Sequence, residues 1–168
     1  MGTRRCDDGK NCNFAAVFKQ ENIVLAMSEL HSLLDYEPKV LLAWGESLKG
    51  DRKFTDFLML NGFPELAALT GAIHSDTDAL KWLFDNGYPE FGVLSDAIDD
   101  EDEAIAWLEK YHCDFLSKFA AACRKDDAAI KWFVENKLDI FILFIRTIHD
   151  ILLFQSWDSS DVHRMRRS

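Results

Sequence analysis

The chain is short of the residues that interrupt regular structure and of those that build cofactor sites. Only 8 glycines and 3 prolines occur in 168 residues, too few for a many-turned β-sandwich or a low-complexity disordered chain. The four cysteines, Cys6, Cys12, Cys113 and Cys123, do not pair in spacing, which excludes a secreted disulfide scaffold, a class denser in cysteine and shorter. No apolar stretch follows Arg4 and Arg5, so no secretory leader is read and a cytoplasmic protein is expected. The longest unbroken apolar run, Ile140 to Ile145, falls far short of the roughly 20 residues that cross a bilayer. The nucleophile elbow GxSxG, the zinc pair HExxH, the dinucleotide turn GxGxxG and the redox pair CxxC are all absent. Gly45 and Gly50 stand at P-loop spacing, but Asp51-Arg52 follow where phosphate and magnesium need Lys and Ser or Thr. No enzyme, no metal and no cofactor are therefore expected.

Positive charge is the other scarcity. Lys and Arg total 19 against 29 Asp and Glu; without residues 1–10 and 164–168 the body keeps 13 bases and 27 acids. Such a body repels nucleic-acid phosphates and suits a basic protein surface. At 48% hydrophobic, with 13 Phe and 5 Trp, the chain can build one substantial core but not two.

What is present is a repeat. Trp82, Trp107 and Trp132 are spaced by 25 residues, Phe57 lies 25 before them and Trp157 keeps the phase. Other columns agree: Asp51, Asp76, Glu101 and Asp126 are acidic; Phe54, Ala79, Ala104 and Ala129 are apolar, as are Leu58, Leu83, Leu108 and Phe133. Within a repeat the apolar positions advance by threes and fours, first through Ala79, Trp82 and Leu83, then through Phe91, Leu94, Ala97 and Ile98, which is one helix face twice. Asn61-Gly62-Phe63-Pro64 and Asn86-Gly87-Tyr88-Pro89 read as a C-terminal cap followed by proline at the next first turn. Asp114 and Asp139 hold the proline column elsewhere and suit a helix N-terminus through the macrodipole.

The expected fold is an all-α solenoid of stacked helical hairpins. A flexible tail occupies 1–12 and one domain 13–157: a degenerate first repeat with an N-terminal helix at 13–49, repeats at 50–74, 75–99, 100–124 and 125–149, and a capping helix at 150–157, followed by a basic tail at 158–168. The pattern AlxWLxxNG followed by PExxxLxxAI, best seen from Asp78 to Asp99, resembles the helix pair of ankyrin repeats. It departs from them in its period, 25 rather than about 33, and in lacking a TPLH-like tetrapeptide and room for a β-hairpin finger. The resemblance implies a stack whose concave face or loop edge binds another protein, without catalysis.

Two sets of candidate binding residues emerge. Asp99, Asp100, Glu101, Asp102 and Glu103 hold more charge than helix capping needs and could dock a basic partner; they lack the spaced ligands and glycine of an EF-hand. His74, Asp99, Arg124 and His149 form a ladder along one edge; adjacent helices pack about 8 to 10 Å apart, so no ion can bridge His74 and His149. The tryptophan column is read as buried between hairpins, and Cys113 and Cys123 as core cysteines. In earlier repeats the second helix carries small or polar residues off its core stripe, such as Ala67, Ala68 and Thr70; the last has Ile142, Leu143 and Ile145, which need a cover. The adopted reading is that Ile151 to Trp157 folds back as a fifth-repeat helix, giving a monomer; a homodimer through the last repeat is the alternative. The expected function is a non-enzymatic protein–protein interaction module with an acidic helical surface. The alternative is a small acidic inhibitor, of immunity-protein or antitoxin type, that blocks a basic effector.

Overall fold

The structure, a computed structural model, describes residues 30–161. The tail at 1–12, the start of the degenerate repeat and the end of the basic tail lie outside them. The chain separates between Leu30 and His31, and every helix among the described residues belongs to the unit that begins at His31. After a 3-10 turn at Leu33–Asp35 come α1 (Pro38–Leu48), α2 (Arg52–Leu60), α3 (Pro64–Ile73), α4 (Thr77–Asp85), α5 (Pro89–Ile98), α6 (Asp102–Lys110), α7 (Asp114–Cys123), α8 (Asp127–Glu135) and α9 (Asp139–Asp161). No strand occurs among the described residues. The all-α array of hairpins is thus as the period predicts.

Local chemistry sets the boundaries. Asp51, Asp76 and Asp126 accept from backbone N–H groups at the starts of α2, α4 and α8, while Glu101 holds the same place before α6 without a side-chain bond. Proline opens α3 and α5, and aspartate opens α7 and α9. Between hairpins the chain turns through positive φ at Gly50, Ser75, Asp100 and Lys125; within hairpins it does so at Gly62, Gly87, His112 and Lys137. Both series keep the 25-residue spacing. The column Leu58, Leu83, Leu108 and Phe133 is at most 1% exposed, so it forms the joint between the two layers.

The second helices build an inner layer. α1 packs on α3, α3 on α5, α5 on α7 and α7 on α9; α9 then packs on α1 and closes the ring. α2, α4, α6 and α8 sit outside, each against the two inner helices that flank it in sequence. Trp44 of α1, fully buried, meets Phe144 of α9 edge-on with centroids 4.9 Å apart, and Phe119 of α7 at 6.4 Å. A Cβ on Gly45 would come within 2.7 Å of the Phe144 ring, so the helices approach this closely only because a glycine is there. Aromatic side chains therefore fill the space between the inner helices α1, α7 and α9.

Three expectations need correction. The segment 150–157 is helical but does not fold back: α9 runs unbroken from Asp139 to Asp161. Position 150 continues the helix where Gly50, Ser75, Asp100 and Lys125 turn, Ile151 stands where an acidic N-cap is needed, and Asp158 occupies the column buried in every repeat. A fifth outer helix would start uncapped and bury a carboxylate. Secondly, Ala67, Thr70 and Ile145 are buried: Thr70 donates to the Leu66 carbonyl and is bonded by Ser47, and Ala67 and Ile145 belong to the core. Of the three expected surface residues in α9, Leu143 is exposed and Ile142 half-buried. Thirdly, Cys123 is a core residue whose thiol burial pushes well above its ordinary range, but Cys113 is only half-buried at the start of α7. Among the tryptophans, Trp107 is buried, and Trp82 and Trp132 are half-buried.

Candidate functional site

The acidic residues gather on one side. Residues 75–109 hold a single lysine, Lys81, against eleven acids, whereas 38–60 hold four bases and three acids, and 125–149 four of each. The first of these segments is α4, α5 and all of α6 but Lys110; nine of its eleven acids are exposed on the two outer helices and the turns around them, and Glu90 and Asp96 lie on the inner helix α5, buried and half-buried. Asp99 and Asp100 form the turn that leaves α5, and Glu101, Asp102 and Glu103 start α6; all five are exposed. Asp100 pairs with Arg124 Nε at 3.1 Å. Asp96, half-buried one turn before them, has its carboxyl pushed up to about 7, first by burial and then by Asp99 and Glu101.

The ladder has a structural task. His74 Nε2 lies 3.0 Å from the Leu48 carbonyl, Arg124 donates to Ala97, and His149 Nδ1 lies 3.3 Å from Cys123. Each rung thus meets a carbonyl at the C-terminal end of the preceding inner helix, where helices leave acceptors unserved. Asp99 is the exception in kind, since an ionised carboxylate only accepts. The carbonyl at its rung, Ile73, receives instead the side-chain amide of Gln155 from the extension of α9, at 3.0 Å. His74, Arg124 and His149 are therefore spread along the edge rather than gathered into one site.

Beside the acidic side lies an open groove of about 590 Å³ between α2 and α4. Ala67, Ala68 and Gly71 of α3 make its floor, and Met59 and Trp82 its walls. Arg52, Asp76 and Asp78 mark one end. The small floor residues leave room for an apolar side chain, and the α4 wall continues into the acidic side.

Sequence reasoning missed two buried glutamates. Glu65 and Glu90, at the second positions of α3 and α5, are 5% and 1% exposed. Tyr36 donates to Glu65 at 2.9 Å; the His31 backbone N–H donates to Glu90 at 3.0 Å, with its Nδ1 2.9 Å from the same oxygen. Residues 31–36 are thereby strapped across the N-terminal ends of α3 and α5. Burial pushes the Glu90 carboxyl up, and burial together with Glu65 pushes the Tyr36 phenol far above its usual range. The repeated Pro-Glu, replaced by Asp-Phe and Asp-Ile in the later repeats, was the available signal.

Among the described residues no three His, Cys, Asp or Glu side chains are grouped to hold a metal ion. The stretch Asp139–Trp157 is long and apolar enough to cross a membrane, with mean hydropathy 1.4, because a window average absorbs the charges that break its longest run. In this fold its Phe141, Phe144, Ile145 and Ile148 belong to the core. No family model, curated protein or solved structure matches the chain.

Proposed function

We propose that the protein is a non-enzymatic interaction module that docks a basic protein partner along α4 and α6, with an apolar side chain of that partner in the groove beside α4. The observation that carries this reading is the charge polarity: nine exposed acids against one lysine over residues 75–109. Exposed like charges repel one another, so a cluster beyond what capping uses costs stability unless a partner offsets it. The likeness of the helix pair to ankyrin repeats, which present such surfaces to proteins, supports the same reading. Sparse, unpaired cysteines favour the cytoplasm as its place of action. The concentration of charge on one side also suits a second reading, an inhibitor of one basic effector, which would associate fast and with steep salt dependence.

The test is affinity capture from the source cells with the wild-type chain and with Asp100→Ser/Asp102→Ser/Glu103→Ser, at about 50 and 300 mM salt, where screening differs strongly. A basic protein retained by the wild type at low salt, and lost both at high salt and from the variant, supports the reading. Identical captured sets would place recognition elsewhere. One dominant basic effector whose activity is blocked would select the inhibitor.

A further inference from the structure

The groove between α2 and α4 is polarised along its length. The outer helices run opposite to α3, so the starts of α2 and α4 lie over its end. Met59, Pro64 and Trp82 enclose an apolar space at one end, and Thr55, Asp76 and Asp78 stand with Arg52 at the other. The apolar end is open for a specific reason. In the next repeat Phe84 takes the column of Met59 and packs over Gly92, where a Cβ would come within 2.6 Å of its ring. Met59 is instead 57% exposed, and the matching space over Ala67 is part of the groove. At the polar end acceptors converge. Thr70 gives its proton to the Leu66 carbonyl and Ser47 gives its own to Thr70, so the 2.9 Å contact between Ser47 and Thr55 is a donation by Thr55. This relay sends its protons inward and leaves Thr55 with acceptor lone pairs. Asp76 Oδ1 takes both capping bonds of α4, while its Oδ2 stands 3.8 Å from where a Cβ on Gly71 would lie, above the groove floor. Two carboxylates and a hydroxyl acceptor, against the guanidinium of Arg52, suit a donor-rich cation.

We propose, resting on the docking role given above, that the groove reads a short extended segment of the basic partner in which an arginine stands two positions from a large apolar residue such as leucine. The apolar residue enters between Met59 and Trp82, where the flexible thioether adapts to its shape. The arginine lays its methylene stem along Gly71 and brings its guanidinium to Asp76, Asp78 and Thr55. The spacing follows from the α4 wall. Trp82 and Asp78 are four residues apart, about 6 Å along the helix, and side chains on one side of an extended chain recur every ~6.8 Å. Adjacent residues of such a chain point to opposite faces, so a neighbouring pair cannot serve both ends. Arginine is favoured over lysine because its planar fork of five donors meets several acceptors at once. The acids that continue from Asp99 to Glu103 then face whatever basic residues flank the segment.

The probe is the peptide acetyl-Gly-Ser-Leu-Ser-Arg-Ser-Gly-amide, titrated into the isotope-labelled full chain and followed by nuclear magnetic resonance at the Trp82 indole and the Ala68 and Gly71 amides. Saturable shifts are expected there. Serine in place of the leucine, glutamate in place of the arginine, or removal of the serine between them should each weaken binding about tenfold or more. On the protein, Asp76→Asn, whose amide oxygen can still cap α4, should weaken it to a similar extent, and Ala68→Leu should block it. Arg52→Ala should strengthen it about two- to threefold by removing a like charge. Asp76→Asn and Arg52→Ala change exposed side chains and should keep the wild-type melting temperature. Four results would each overturn the proposal: no saturable shift at millimolar peptide, binding indifferent to both Asp76→Asn and Ala68→Leu, equal binding of the glutamate peptide, or equal binding of N-acetyl-arginine amide alone, which would make this a site for a small cation. The docking role and the motif fail separately. A basic protein captured through Asp100, Asp102 and Glu103 but indifferent to Ala68→Leu would keep the first and sink the second, whereas the peptide titration needs no cell extract.

Discussion

Asp96 is the side chain most directly coupled to pH. Its carboxyl is raised to about 7 by burial and by the acids beside it, while in the unfolded chain it titrates near 4. The folded state therefore holds the proton more tightly, and the stability this confers is fully present below about pH 4 and is lost as pH rises through about 7. Asp96→Asn removes the charge; the variant should be more stable than the wild type at pH 8, with the difference vanishing below pH 4. Urea midpoints at several pH values measure it, and a constant difference would refute the assignment. Tyr36 makes a second test. Tyr36→Phe takes the donor from Glu65, whose other carboxylate oxygen already lies buried without a partner, and should cost about 1 to 3 kcal/mol by chemical denaturation. A cost near zero would mean that the strap of residues 31–36 is not held through Glu65.

At the scale of the helix, one column can be compared with itself. The side chains of Asp51, Asp76 and Asp126 cap their helices and that of Glu101 does not. Asp126→Ala should lower stability by about 1 kcal/mol, and Glu101→Ala by no more than about 0.5 kcal/mol, as for an ordinary surface change. Equal losses in thermal melts would show that charge at the helix start matters more than the capping bond. The hairpins themselves were legible because turn, cap and core positions recur together every 25 residues, so that errors at one position are corrected by its counterparts. The end of the array was harder to read. Trp157 keeps the phase and suggested another hairpin, although Ile151 and Asp158 violate the two positions a new outer helix most needs. The phase of one residue type weighs less than the chemistry of the cap and the core. The ladder shows the same lesson from the other side: its spacing was visible, but its bonds join side chains to backbone carbonyls about one repeat away, and backbone acceptors leave no mark in the sequence.

For the whole molecule, closure is the property that no single repeat encodes. It rests on α1 and α9, and on Gly45, Trp44 and Phe144 between them. Gly45→Val puts side-chain atoms where the Phe144 ring lies and should prise α9 from α1. An open stack of repeats unfolds as nearest-neighbour blocks, so the variant should fray from its ends, with hydrogen-exchange protection falling in α1 and α9 before α4 to α6. The wild type should lose protection across all of them together. If both chains fray alike, the α9–α1 contact does not couple the ends.

One hundred residues separate Trp44 from Phe144. A chain emerging from the ribosome with its N-terminal end first makes α1 well before α9, so the side chain that completes the enclosure of Trp44 is synthesised a hundred residues after it. Until then the tryptophan at the centre of the finished ring has an open flank, so translation passes through a stage in which the future core is a sticky surface. Nascent chains halted before residue 139 should accordingly be captured by chaperones, and release should come only once α9 has cleared the exit tunnel.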